Sequence, residues 1–127
     1  MKRELIQTDR APAAIGAYSQ ATSCCQLILT SMQIALDPVS GELVGDDHAA
    51  QAHRALMNLQ AVVEAGASSL AGVLKATIYT TDMAAFAAID EVYADFFPVE
   101  PPARAVVEVS ALPKGALVAV EAMAAKH

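Results

Sequence analysis

Two ionisable residues stand out by type and setting. Arg104 lies near the start of the segment Ala103-Arg104-Ala105-Val106-Val107-Glu108-Val109, directly after Pro101-Pro102-Ala103. A guanidinium presents a fixed fork of donors that matches a carboxylate through two parallel hydrogen bonds. An arginine at a strand end can equally be solvated or pair with a surface acid. Glu121 interrupts Ala116-Leu117-Val118-Ala119-Val120-Glu121-Ala122-Met123-Ala124, a run otherwise apolar on both faces. Such a run reads as a strand buried on both sides. A carboxylate there is costly unless it is paired, hydrogen-bonded or neutralised. It serves either a structural ion pair or a site, and burial raises a carboxyl's pKa toward a range useful for proton transfer. The two residues lie on consecutive strands joined by a short turn. They can meet within one chain, or line one cleft across an interface.

Tyr18 and Ser31 carry donors suited to orienting a small polar ligand, although both types are common structural residues in strands. His48 and His53 are five residues apart, about 140° around a helix, and do not form a metal pair. No cysteine–histidine metal spacing, Gly-rich phosphate loop or nucleophile elbow is present. Cys24 and Cys25 are adjacent, poor geometry for an ordinary disulfide, and read as two free thiols in a strand.

Several elements must position these residues. Residues 2–7 suit a short edge strand, and 11–17 a loop punctuated by Pro12 and Gly16. Residues 18–24 and 26–31 read as strands meeting near Cys25, the second buried. Asp37-Pro38-Val39-Ser40-Gly41 is a turn. A helix capped by Asp46 or Asp47 carries Ala49, Ala52, Leu56, Leu59 and Val63 on one stripe and stops at Gly66. Residues 72–80 form a strand. A second helix spans 84–97, capped near Asp82 and ended by Pro98. Strands over 103–109 and 116–124 close the chain, with a turn at Leu112-Pro113-Lys114-Gly115. Helices falling late among hairpins imply an α+β fold, with both packed on one face of a mixed sheet.

The chain has 127 residues, enough for a single domain over 1–127 with a real core. Its hydrophobic fraction is 55%, which predicts buried surface beyond that core, as between subunits. The net charge is −6 with scattered basic residues, which disfavours DNA or RNA as a partner. No apolar run reaches the ~18–20 residues of a membrane span. No apolar h-region follows Met1-Lys2-Arg3, so a cytoplasmic location is expected.

Several blocks together resemble the RidA/YjgF family, the reactive intermediate deaminases. They are Ala11-Pro12-Ala13-Ala14-Ile15-Gly16-Ala17-Tyr18-Ser19-Gln20, Thr30-Ser31-Met32-Gln33-Ile34, Asp37-Pro38-Val39-Ser40-Gly41-Glu42 and Tyr93-Ala94-Asp95-Phe96-Phe97. Pro102-Ala103-Arg104-Ala105-Val106-Val107-Glu108-Val109, Leu112-Pro113-Lys114 and Val120-Glu121-Ala122 complete the set. The likeness spans essentially the whole chain.

The resemblance implies a chorismate-mutase-like α+β fold and a homotrimer with clefts between subunits. It also implies hydrolysis of enamine/imine intermediates, such as 2-aminoacrylate and 2-iminopropanoate, to 2-keto acids and ammonia, without cofactor or metal. Arg104 would hold the substrate carboxylate and Glu121 would handle the attacking water. Tyr18 and Ser31 would shape and polarise the pocket. A non-catalytic trimer that binds keto acids is the alternative; an endoribonuclease and a redox-regulated holdase are weaker rivals. The chain departs from the family at Ala17, before the site tyrosine, and at three pocket positions. Met32 replaces a glycine, adding bulk and backbone strain. Asp90 replaces an asparagine, adding a charge. Val106 replaces a cysteine, removing a thiol. These changes bear on which imine is accepted.

Overall fold

Alternation along the last strand organises the molecule. In β7 (Val118–Ala125), Val118, Val120, Ala122 and Ala124 are buried, whereas Glu121 is half-buried and Met123 exposed. One face of this strand therefore meets the core; the other is covered at Ala119, which is fully buried, and opens only from Glu121 onward. The expectation of a strand buried on both sides holds for its first residues and is corrected from Glu121 on.

The computed structural model describes residues 1–127. The other strands are β1 (Glu4–Ile6), β2 (Ala21–Cys24), β3 (Leu27–Thr30), β4 (Gln33–Ile34), β5 (Val73–Thr80) and β6 (Ala103–Glu108). They form one seven-stranded sheet in the order β1-β2-β3-β7-β5-β6, with β4 also pairing β7. Only β5 and β6 run parallel; the remaining pairs are antiparallel. Helices α1 (His48–Ala65) and α2 (Phe86–Phe96) supply the apolar side chains that meet the buried face. The expected order and helix placement hold, and the two-residue β4 is an addition that the sequence did not signal.

Asp47 caps α1, its carboxylate accepting from the Ala50 amide at 2.8 Å. Leu56, Leu59, Val62 and Val63 bury one stripe against Ile28, Ile78, Val118 and Val120. Gly66 ends the helix at φ −90, and the left-handed residue is the next one, Ala67, at φ 65. Asp82 caps a single 3-10 turn, Met83–Ala85, that leads into α2.

Strand β3 is buried only at Ile28; Leu27 and Leu29 are about half exposed. They share the open face with Leu5 and Met123, because the register aligns Leu5, Thr22, Leu29 and Met123 across β1, β2, β3 and β7. Cys25 lies outside both strands, at φ 57 in the tight turn between them, with its Sγ 3.8 Å from that of Cys24.

Candidate functional site

The predicted site residues fall into two groups, on opposite faces of the sheet. Glu121 aligns with Thr77 of β5, and Thr77 with Ala105 of β6. Residues in register point the same way, so Arg104 points oppositely, with Ala76 and Ala122 toward the helices. Strand β5 also lies between β6 and β7, separating the two backbones by about 10 Å, two strand spacings. Of the two arrangements that the sequence left open, a meeting of Arg104 and Glu121 within one chain is therefore excluded. Adjacent in sequence, β6 and β7 are not adjacent in the sheet.

The Glu121 group lines a cleft of about 460 Å³ with Tyr18, Ser31, Met32, Ile34, Pro113 and Lys114. Three polar contacts shape it. The Tyr79 hydroxyl donates to Glu121 Oε1 at 2.9 Å, leaving the second carboxylate oxygen without a partner in the chain. Glu121 and burial together raise the Tyr79 pKa, which keeps the phenol protonated as a donor. The Ile15 amide donates to the Tyr18 hydroxyl oxygen at 3.3 Å, so the phenolic proton is free to donate elsewhere. Ser31 is different. Its hydroxyl donates to the Ser19 carbonyl at 2.6 Å, so toward a ligand Ser31 offers an acceptor rather than the expected donor.

Buried amides hold the loops of this cleft. Gln20 accepts from the Thr8 amide at 2.7 Å and donates to the Thr8 and Pro12 carbonyls, fixing the segment that leads to Tyr18. Asn58 donates to the Ile34 and Leu36 carbonyls at 3.0 and 2.9 Å, anchoring the chain just after Met32. Met32 is 39% exposed, so its bulk lies at the rim. Its backbone is unstrained: left-handed φ among non-glycine residues occurs at Cys25, Ala67, Glu100 and Lys114. The expected strain at Met32 is absent.

The Arg104 group lines a second cleft, about 420 Å³, with Asp90, Tyr93, Phe97, Pro101 and Pro102. Phe86, Asp90 and Tyr93 recur at spacings of four and three on α2, one stripe facing Arg104. The guanidinium Cζ lies 5.1 Å from the Phe86 ring centroid and 4.9 Å from that of Tyr93, within cation–π range. Its Nη1 donates to Asp90 Oδ1. Burial raises the Tyr93 pKa. Val106 lines neither cleft; its side chain packs against the core. Because β6 is an edge strand, part of its backbone is left unpaired by the sheet.

Sequence reasoning missed three contributors: Tyr79, Phe86 and Lys114. Tyr79 was findable only with the register, which makes it a diagonal neighbour of Glu121. Phe86 was findable from its spacing to Asp90 and Tyr93. Lys114 stood inside a quoted motif, but nothing marked it as reaching the cleft.

The arrangement supplies a carboxylate with one spare oxygen, a free phenolic donor and, elsewhere, a cation clamped by two rings. No group of three or more His, Cys, Asp or Glu is placed to hold a metal ion, and no helix is long and apolar enough to cross a membrane.

Comparison with known proteins gives the chain a context. The family model described as Endoribonuclease L-PSP matches residues 8–126. A RutC family protein of Pyrococcus horikoshii is 44% identical over 125 residues, covering 98% of this chain and 99% of that protein. The 2-iminobutanoate/2-iminopropanoate deaminase of Rattus norvegicus is 43% identical over 122 residues, covering 96% of this chain and 89% of that protein. The crystal structure of E. coli TdcF with bound serine superposes with a TM-score of 0.93 at 38% identity, covering 98% and 99% of the two chains.

Proposed function

The chain belongs to the endoribonuclease L-PSP family, the RidA/YjgF proteins, and from that premise we propose that it hydrolyses reactive enamine and imine carboxylates to 2-keto acids and ammonia. The single observation that carries this reading is the division of the site. Arg104 and Glu121 hold the two chemical functions the reaction needs, and one chain keeps them on opposite faces of its sheet. The cleft is therefore completed between copies, with Arg104 from one and Glu121 from its neighbour. A homotrimer with three such clefts closes this heterologous contact into a ring. It also covers the open face, where Leu5, Leu27, Leu29 and Met123 are exposed.

In this cleft Arg104 holds the substrate carboxylate through its donor fork. The partner's Glu121 accepts a proton from water through its spare oxygen as the water adds to the imine carbon. The partner's Tyr18 donates toward the reacting nitrogen or oxygen. Glu121 passes its proton to the nitrogen, then takes the hydroxyl proton of the tetrahedral adduct and delivers it to the nitrogen as the C–N bond breaks, releasing keto acid and ammonia. No electrons are transferred, so the reaction requires no redox cofactor. Holding a short-lived imine beside a positioned water contributes through proximity.

Two further facts favour this substrate class. The rat relative is named for imine deamination, and TdcF was solved with serine, which has the carboxylate and nitrogen such substrates share. Against RNA, the family's other named substrate, stand the net charge of −6 and the scatter of Lys and Arg. The test is a coupled assay in which an amino-acid oxidase or threonine dehydratase generates imines. Purified protein should accelerate keto-acid and ammonia release, and Arg104→Ala should abolish the acceleration without dispersing the assembly. If wild type and variant are equally inert across small imines, catalysis gives way to keto-acid binding.

A further inference from the structure

The Arg104–Asp90 pair is neutral as a whole and only partly satisfied. Nη1 donating to Oδ1 is the only hydrogen bond of the guanidinium, and Asp90 Oδ2 accepts from nothing in the chain. A guanidinium has five N–H donors, so most of the fork remains open. The side chains stay accessible, at 27% exposure for Arg104 and 47% for Asp90. The Phe86 and Tyr93 rings hold the cation in place. Tyr93, a buried residue whose hydroxyl has no hydrogen-bond partner, also lines the cleft beside Arg104 and Asp90. Open N–H donors therefore lie beside an open carboxylate oxygen.

We infer that Asp90 makes this site select the zwitterionic iminium carboxylate, with the ligand carboxylate on Arg104 and the ligand N–H on Asp90. This inference rests on the imine-hydrolysis reading and names the protonation form taken. A monoanion placed on the neutral pair adds one uncompensated negative charge. A zwitterion adds none, and its N–H supplies the donor that Asp90 Oδ2 lacks. An asparagine at this position would leave the Arg104 charge uncompensated and would not penalise the monoanion.

The chemistry follows from the same choice. In the iminium, nitrogen is already protonated, so as the water oxygen bonds to carbon the C=N π pair passes to nitrogen without a further proton. Glu121 takes one proton from the water and passes it to the nitrogen. It then accepts the hydroxyl proton of the adduct as the O–H pair forms the carbonyl and the C–N bond breaks, and that second proton leaves on the departing ammonia. The balance is iminium carboxylate plus water giving keto-acid anion plus ammonium. The product left on Arg104 is now a monoanion beside Asp90, so the charge that favours substrate disfavours retained product.

Alanine and pyruvate are stable probes that differ by ammonium against carbonyl oxygen. Calorimetric titration of the assembled full-length protein should show alanine bound more tightly than pyruvate by about tenfold, the scale of one charge-assisted hydrogen bond. Asp90→Asn should erase or invert that ratio and strengthen product inhibition by pyruvate in the imine assay. Asp90→Glu should restore part of the preference. A wild type that holds pyruvate as well as alanine, or holds neither, overturns the selection, as does an unchanged ratio in Asp90→Asn. Arg104→Ala separates this failure from that of the underlying site. Both probes should weaken together; if both bind that variant normally, the carboxylate site itself is misplaced.

Discussion

Tyr79 and Glu121 are diagonal neighbours on β5 and β7, joined on the open face by a hydrogen bond of 2.9 Å from the phenol to the carboxylate. The phenol fixes one carboxylate oxygen and leaves the other to meet water. In the proposed hydrolysis Tyr79 is thus the positioning residue and Glu121 the proton acceptor. Glu121→Gln should lower kcat by about 10²–10⁴, the usual worth of a general base. Tyr79→Phe should lower kcat by about tenfold, the loss of one hydrogen bond to a charged group, with KM little changed. Steady-state imine hydrolysis separates the two, and a Tyr79→Phe enzyme altered only in KM would refute the positioning role.

The same hydrogen bond sets an alkaline limit. Tyr79 is raised above the ordinary 10.0, first by its bond to Glu121 and then by burial. Tyr93 is raised from the same value by burial. In both, the folded state holds the phenolic proton more tightly than the unfolded chain. Their contribution is therefore fully present below pH 10.0 and is lost as pH rises through the folded values. Urea midpoints should fall above that pH, and fall less steeply in Tyr79→Phe. A phenolate absorbance titration that finds Tyr79 ionising at the free-tyrosine value would contradict this.

The elements were largely legible because periodicity reports local burial. The α1 stripe, its Asp47 cap and the Asp82 cap all follow from local spacing and side-chain chemistry. Strand order was not legible. Chain order placed Arg104 and Glu121 side by side, but β5 returns between their strands, and no local pattern encodes that insertion. Face assignment failed for a related reason. The residues flanking Glu121 are apolar on both sides, so alternation gave no contrast between the core face and the open one. The charge at Asp90 was visible, whereas its pairing with Arg104 required the packing of α2 on β6.

Asn58 links stability to the site. It is fully buried and serves the carbonyls of Ile34 and Leu36, and it accepts from the Arg54 guanidinium at 2.7 Å. Asn58→Ala leaves the buried Leu36 carbonyl unpaired, whereas the Ile34 carbonyl keeps the Leu36 amide, and should cost about 1–3 kcal/mol in denaturant unfolding. Leu59→Ala, one residue along, should cost about 2–5 kcal/mol through cavity formation. The two should differ in activity per folded molecule. Asn58 anchors the chain beside Ser31 and Met32, so only its loss should raise KM. Equal kinetics in both variants would show that this anchor does not shape the cleft.

A site divided across copies, as proposed, has a consequence that no single-chain site shares. Arg104→Ala and Glu121→Gln assemblies should each be inactive. When the two variants are mixed by joint refolding, some interfaces pair an intact Arg104 from a Glu121→Gln chain with an intact Glu121 from an Arg104→Ala chain. Under random mixing in equal amounts each requirement is met half the time, so about one quarter of the clefts regain both groups. Activity should return to about that fraction of wild type, and should scale with the product of the two mixing fractions. A site formed within one chain predicts none, because every chain lacks one of the two residues. Sedimentation equilibrium on the same samples is the control: assemblies must be mixed and trimeric, and a chain that stays monomeric at micromolar concentration removes the intersubunit cleft altogether.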